Sequence, residues 1–173
     1  MAWEYSKIDK QVITRWKKLG DLGEFMAETL LAKKGFTDIR NLNKESKNKI
    51  YADIFCIRNK QPYVISVKAR NKYENTGRLN SRYKLGQDCY KKAHIIEKEY
   101  KAKAAWVTIA IDVDNETYDA FFGLLDSLHG NTGVVMTPDA TNKYDCLALH
   151  ERLEDIGITK EVFQNLKNKY NKK

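Results

Sequence analysis

Cysteine and histidine are scarce in this chain. Cys56, Cys89 and Cys146 are isolated and odd in number, with no C-x-x-C pair. That pattern excludes a disulfide framework and a cysteine-based zinc site, and it predicts reduced thiols in a cytoplasmic protein. His94, His129 and His150 are equally scattered, so no histidine cluster points to a metal. No apolar run approaches the roughly 20 residues needed to cross a bilayer. The first ten residues, MAWEYSKIDK, lack the apolar segment of a signal peptide. A membrane partner is therefore not expected. Internal repeats, low-complexity segments and linkers are missing as well.

The remaining composition is that of a globular protein, with 42% hydrophobic residues in 173. This length is enough for one domain with a real core. The net charge of +8 is unevenly spread. Residues 1–50 hold 11 Lys/Arg against 7 Asp/Glu, and residues 51–104 hold 13 against 5. Residues 105–149 hold 1 against 7, and residues 150–173 hold 6 against 4. Positive charge concentrated in the first two-thirds is the electrostatic footprint of a nucleic-acid binder, although a lysine-rich solvated surface would carry the same count.

Residues 51–70 contain two apolar runs, YADIFCIR and YVISVKAR, joined by NKQP. Val, Ile, Phe and Tyr on either side of Asn59 and Pro62 predict a β-hairpin. A four-residue loop, 59–62, would set Asp53 directly opposite Lys68, with Ser66 on the same face. A one-residue slip would separate the two charges onto opposite faces.

Upstream, residues 13–34 read as a helix ending at Gly35, with Gly20 and Gly23 as points where it could break, and with an apolar arc from Phe25 through Met26 and Leu30 to Leu31. Glu24 and Glu28 fall on the remaining face, where an ordinary solvated glutamate is the plain alternative to a functional one. Residues 36–42 read as a short strand. The polar loop 71–86, NKYENTGRLNSRYKLG, interleaves Lys72, Arg78, Arg82 and Lys84 with Tyr73 and Tyr83. It suits phosphate contact and base stacking, or simply a solvated edge. Residues 87–100 read as helix and 105–111 as a buried strand. An apolar run spans 118–125, and its part from Ala120 to Leu125 suits a core strand or an interface strand. Residues 134–137 and 146–149 are weaker strand candidates, and a last helix is expected at about 159–171. This order predicts an α/β domain with a mixed central sheet flanked by helices.

Metal-dependent phosphodiester hydrolysis needs acidic oxygens to hold Mg²⁺ and a cation near the scissile phosphate. One or two carboxylates suffice, because Mg²⁺ keeps several waters. Asp53 and Lys68 supply such a pair, and Glu24 supplies a second carboxylate if its helix packs beside the hairpin.

The stretches GDLGEFMAETLLAKKGF, YADIFCI and YVISVKAR resemble, in order and spacing, the core of the PD-(D/E)XK nuclease superfamily. The likeness extends to the archaeal Holliday-junction resolvases and their small bacterial relatives. The resemblance covers residues 20–70 well and implies a restriction-endonuclease-like fold. It implies a DNA endonuclease using Mg²⁺ or Mn²⁺, with Glu24 and Asp53 binding the metal and Lys68 as the motif lysine. The acidic member of the E-x-K motif is replaced here by Ser66, which brings no negative charge. Some restriction enzymes of the superfamily are similar, with a serine in the motif and a carboxylate arriving from a later helix. Glu74 and Asp88 are candidates for that role, and Gln87 is placed like a helical glutamine of some relatives. Arg70, Lys72, Arg78, Arg82 and Lys84 would contact DNA. The resemblance further implies a homodimer and one nuclease-like domain over residues 1–173, with its core at about 13–149. The alternative is a catalytically inactive nucleic-acid-binding or assembly module on the same fold. A third reading is an unrelated basic α/β protein in which Asp53 and Lys68 form a structural ion pair.

The charge distribution predicts steeply salt-dependent affinity for duplex DNA. If six or more phosphates are neutralised, affinity should fall on the order of 10³-fold between 50 and 200 mM salt. Neutralising Arg78, Arg82 and Lys84 together should flatten the slope and weaken all sequences alike. Titrations at several ionic strengths measure both effects, and a salt-independent affinity would remove the nucleic-acid reading.

Overall fold

The computed structural model describes residues 19–45 and 50–158. The elements are α1 (Leu19–Lys33), β1 (Thr37–Asn41), the one-turn α2 (Leu42–Glu45), β2 (Ile54–Arg58) and β3 (Gln61–Asn71). They continue as β4 (Arg82–Lys84), α3 (Cys89–Tyr100), β5 (Lys103–Asp112) and β6 (Thr117–Leu124). The last are β7 (Gly133–Val135), the one-turn α4 (Pro138–Thr141) and β8 (Asp145–Arg152). The expected C-terminal helix at 159–171, and residues 13–18 of the first helix, lie outside the described residues.

Alternation along β3 separates two apolar layers. Ile65, Val67 and Ala69 face α1, where they join Leu22, Met26, Ala27, Leu30 and Leu31. Val64 faces the other way, into a layer with Trp106, Ala93 and Ile96, on the side of α3. Both faces of β3 are thus covered, which is why its sequence reads as a nearly continuous apolar run. The six-stranded sheet has the order β1-β2-β3-β5-β6-β8. β3 and β5 pair in parallel, whereas the other neighbours are antiparallel. A parallel neighbour requires a crossover, and the segment containing α3 provides it. The predicted mixed α/β sheet is the one observed.

The hairpin is tighter than the sequence suggested. Arg58 pairs with Gln61 and Ile54 with Ile65, so the turn is Asn59-Lys60 alone. Both residues have positive φ, 52° and 67°. This is the two-residue turn whose twist matches that of the strands. Asparagine tolerates that conformation, but lysine gives little warning of it. Pro62 lies near the start of β3, a position where proline is tolerated in a sheet. The register is therefore displaced by two residues from the one expected. A two-residue displacement keeps every side chain on its expected face.

Two other expectations change. The run from Ala120 to Leu125 is core, because β6 lies between β5 and β8 with Ala120, Phe121, Phe122 and Leu125 buried. Residues 71–86 are also more structured than a polar loop. Tyr73 bridges to Leu79, and β4 pairs with β7 as a small second sheet. Tyr83 is buried, so it is not available to stack on a base.

Gly23 lies where α1 crosses β3. A Cβ there would stand 2.6 Å from the Cβ of Ala69, and neither atom can swing away. Gly23→Ala would gain about 1 kcal/mol in helix propensity. Forcing α1 off the strand should cost about 1–3 kcal/mol and outweigh that gain. Urea unfolding should therefore show a net loss of stability in Gly23→Ala, whereas Gly77→Ala, which meets nothing within 4 Å, should show strain from its positive φ alone.

Candidate active site

Asp53 precedes β2, at the point where the β2–β3 ladder ends. Its N–H donates to the Ile65 carbonyl (2.8 Å), and its own carbonyl accepts from Leu42 N–H (2.8 Å). The Asp53 carboxylate then takes over as an acceptor for the neighbouring strand. Oδ2 accepts from the Val67 N–H at 2.8 Å, and Oδ1 accepts from the Asn43 side-chain amide at 3.0 Å. The carboxylate is thereby set against β3 between Ser66 and Lys68, not opposite Lys68 as the longer turn would have placed it. Burial pushes its carboxyl above the usual value, while the Val67 and Asn43 hydrogen bonds and the charge of Lys68 pull the other way.

Glu24 reaches the same junction from α1. Its Oε1 accepts from the Asn41 side-chain amide at 3.1 Å, and Asn41 also donates to Glu28 Oε2 at 3.4 Å. Asn41, at the end of β1, pairs with Ile54, the residue after Asp53. The tripeptide Asn41-Leu42-Asn43 therefore holds both carboxylates, one through each asparagine, while the buried Leu42 anchors the segment. Asn41 and Asn43 were not singled out from the sequence. Two asparagines flanking one apolar residue look like an ordinary strand end, and only the contacts give them a role. Gly23 explains the residue before Glu24, since its missing Cβ lets the helix sit directly on Ala69 and Val67 of β3.

Ser66 and Lys68 lie on the α3-facing side of β3 and pair with Trp106 and Thr108 of β5. Ser66 is buried, and Lys68 is half-buried. The Thr108 hydroxyl and the Trp106 indole N–H are buried without hydrogen-bond partners, so the strand floor beneath the lysine carries unused polar groups. Tyr51, two residues before Asp53, donates its hydroxyl to the Ala105 carbonyl of β5. Burial raises the Tyr51 hydroxyl well above its ordinary value, so it stays a donor.

The remaining candidates lie at the end of β3 and in the segment that leads from it to α3. Arg70, Arg78, Arg82 and Lys84 are exposed, and Lys72 is half-buried in an ion pair with Asp119 (3.0 Å). Glu74 sits in the turn of the Tyr73–Leu79 bridge, its N–H donating to the Arg78 carbonyl. Gln87 and Asp88 are exposed just before α3, with Asp88 at the N-cap position. Among the described residues, no group of three or more His, Cys, Asp or Glu is arranged to hold a metal ion.

The donor set nevertheless suits a hard divalent cation in its chemistry. Asp53 and Glu24 both present carboxylate oxygens, the hard donors such a cation prefers. Mg²⁺ accepts one or two carboxylates and completes its shell with water. A desolvated Asp53 is also a group that an added positive charge would favour. Arranged with Lys68, these residues can bind a cation and draw in a phosphate.

No protein-family model matches the chain, and no curated protein matches it. Among solved structures it is similar to Hjc, a Holliday junction resolvase from the archaeal hyperthermophile Archaeoglobus fulgidus. The TM-score is 0.51 at 15% sequence identity, covering 80% of this chain and 100% of that one. At this identity the likeness is one of fold: an α/β domain of restriction-endonuclease-like architecture with its mixed sheet between helices. No helix of the described residues is long and apolar enough to cross a membrane.

The Asp53 environment makes a signed prediction. Burial holds its folded-state pKa above the ordinary carboxyl value, so folding favours the protonated form. The associated stability is fully present below the unfolded value and is lost as pH rises through the folded one. Without divalent metal, Asp53→Asn should therefore gain stability relative to the natural chain as pH rises towards neutrality. Urea unfolding in EDTA across that range measures the difference, and a difference independent of pH would contradict the assignment.

Proposed function

We propose that this chain is a DNA endonuclease that hydrolyses phosphodiester bonds with Mg²⁺ or Mn²⁺. The observation that carries this reading is the position of the Asp53 carboxylate. It is clamped to the Val67 amide beside Lys68, at the junction to which Asn41 draws Glu24. A structural ion pair would need neither the second carboxylate nor the asparagine clamps. The full 173 residues are read as one nuclease-like domain with DNA as its partner, acting in the cytoplasm.

In this reading Glu24 and Asp53 hold the metal. When bound, the metal polarises the phosphate and lowers the pKa of a coordinated water. Asn41 and Asn43 are positioning residues that fix the two carboxylates through their amides. Lys68 offers its ammonium to the phosphate oxygens, where charge develops in the transition state. Ser66 takes the place of the motif glutamate and offers a hydroxyl, so metal affinity depends on two carboxylates. Glu74, Asp88 and Gln87 are the auxiliary candidates, and Arg70, Lys72, Arg78, Arg82 and Lys84 are the phosphate contacts. The missing charge at Ser66 is what favours the second reading, an inactive nucleic-acid-binding module.

Plasmid nicking in a Mn²⁺ and Mg²⁺ series separates the two readings. Asp53→Ala should abolish metal-dependent cleavage while leaving DNA affinity nearly intact, since it removes a metal ligand and no phosphate contact. Lys68→Ala should slow cleavage on the order of 10²–10³-fold with a modest loss of binding. Ser66→Glu should help little in an active enzyme, because the added charge crowds an already completed shell. If the natural chain cleaves no duplex, single-stranded or branched DNA and Ser66→Glu does, the endonuclease reading is wrong and the binder stands.

A further inference from the structure

A cavity of about 360 Å³ opens on the sheet face that carries Lys68. Its floor includes Ala110, which pairs with Arg70 of β3 and with Asp119 of β6, so the cavity continues the row of the candidate active site. Lys72 marks its rim, four residues beyond Lys68. At about 3.3 Å per residue that is roughly 13 Å, a separation spanned by a few stacked nucleotides. Of its lining, the cleavage reading uses Lys72 alone.

Its lining has the make-up of a site for one planar, hydrogen-bonding ligand. Tyr73 is 44% exposed at the rim, with the Lys72 ammonium 5.7 Å from its ring centre, so a flat aromatic surface and a cation stand side by side. Apolar walls come from Met136 and Phe121. Among them Tyr83 is 1% exposed, and its hydroxyl has no hydrogen-bond partner. A buried hydroxyl left unpartnered costs stability unless something else satisfies it. Asp119, 5% exposed, is already neutralised within the wall. It accepts from Lys72 at 3.0 Å and from the His150 N–H at 2.7 Å, with the His150 ring nitrogen at 3.3 Å. Its remaining lone pairs are acceptors suited to an exocyclic amino group. A few polar groups converging in a mainly apolar cavity of this size are typical of a ligand site.

We propose that this cavity receives one unpaired nucleotide of a bound nucleic-acid strand. The base stacks on Tyr73 and enters between the apolar walls, with its edge towards Tyr83 and Asp119. Lys72 faces the adjoining phosphate. The proposal rests on the nucleic-acid reading above and adds to it a preference for strands with an unstacked base. Stacking on one aromatic side chain gives an affinity difference on the order of tenfold.

A short single-stranded oligonucleotide carrying one fluorescent purine analogue, titrated in EDTA to prevent cleavage, tests it. The full chain should change the probe's emission and prefer this strand on the order of tenfold over the fully paired duplex. Asn142→Trp adds bulk from an exposed position in the lining and should abolish the emission change while leaving duplex affinity and duplex cleavage unaltered. Tyr73→Ala should also lose the change, and Tyr73→Phe should keep it. Free adenosine monophosphate is titrated in parallel. If it competes as well as the strand does, the cavity serves free nucleotides and the proposal is wrong. If DNA binds but the emission change survives both Asn142→Trp and Tyr73→Ala, the proposal fails and the endonuclease reading remains. If no DNA binds at all, both fail.

Discussion

The candidate site depends on one hydrogen bond, from the Val67 amide to the Asp53 carboxylate. In a regular antiparallel ladder that amide would find a main-chain carbonyl. Here a side chain supplies the acceptor, so the ladder can end while a negative charge stays fixed to the centre of the sheet. A carboxylate in such a place is poorly solvated, and burial raises its pKa despite two hydrogen bonds and a neighbouring lysine. Glu24 is tied to the same β1–α2 junction through the Asn41 amide. The site's chemistry follows from where the ladder stops.

The helices and strands around that point are arranged to hold it still. Gly23 allows α1 to touch β3 directly, which fixes the height of Glu24 above the sheet. The β1–α2 junction then binds both acids through Asn41 and Asn43. The parallel pairing of β3 with β5 gives Lys68 a rigid floor, because every residue from Tyr63 to Asn71 is registered with a β5 partner. Functional groups on paired strands are positioned more tightly than groups on loops. Ser66, buried on the same strand, brings a hydroxyl and no charge to this floor.

Much of this was legible in the residues. The apolar arc of α1, the hairpin, the β5 run AWVTIAI and the helix before it appear close to their expected places, since each carries a strong periodic or composition signal. The face shared by Asp53, Ser66 and Lys68 was also readable, because strand alternation survives an even displacement of register. The turn was not. Its two residues are Asn59 and Lys60, and lysine in a positive-φ position leaves no trace in composition. The strand β4 was hidden for a different reason, and β7 showed only as the weak candidate at 134–137. They have three residues each, too few for any alternation to show, and they form only by meeting each other.

The sequence by itself determined which residues are acidic, basic or apolar at each period, and therefore the α/β layering and the candidates Glu24, Asp53, Ser66 and Lys68. Local rules suffice for that, because burial of one face is encoded within each segment. Only the tertiary structure decided what those residues meet. Asn41 and Asn43 became clamps because β1 lies beside β2. Tyr83 became a buried wall, and not a stacking platform, because β4 is drawn under by β7. Lys72 and Asp119, 47 positions apart in the chain, became an ion pair at the rim of a cavity through the order of the sheet. Contacts between distant segments depend on register and strand order, and no single segment contains that information.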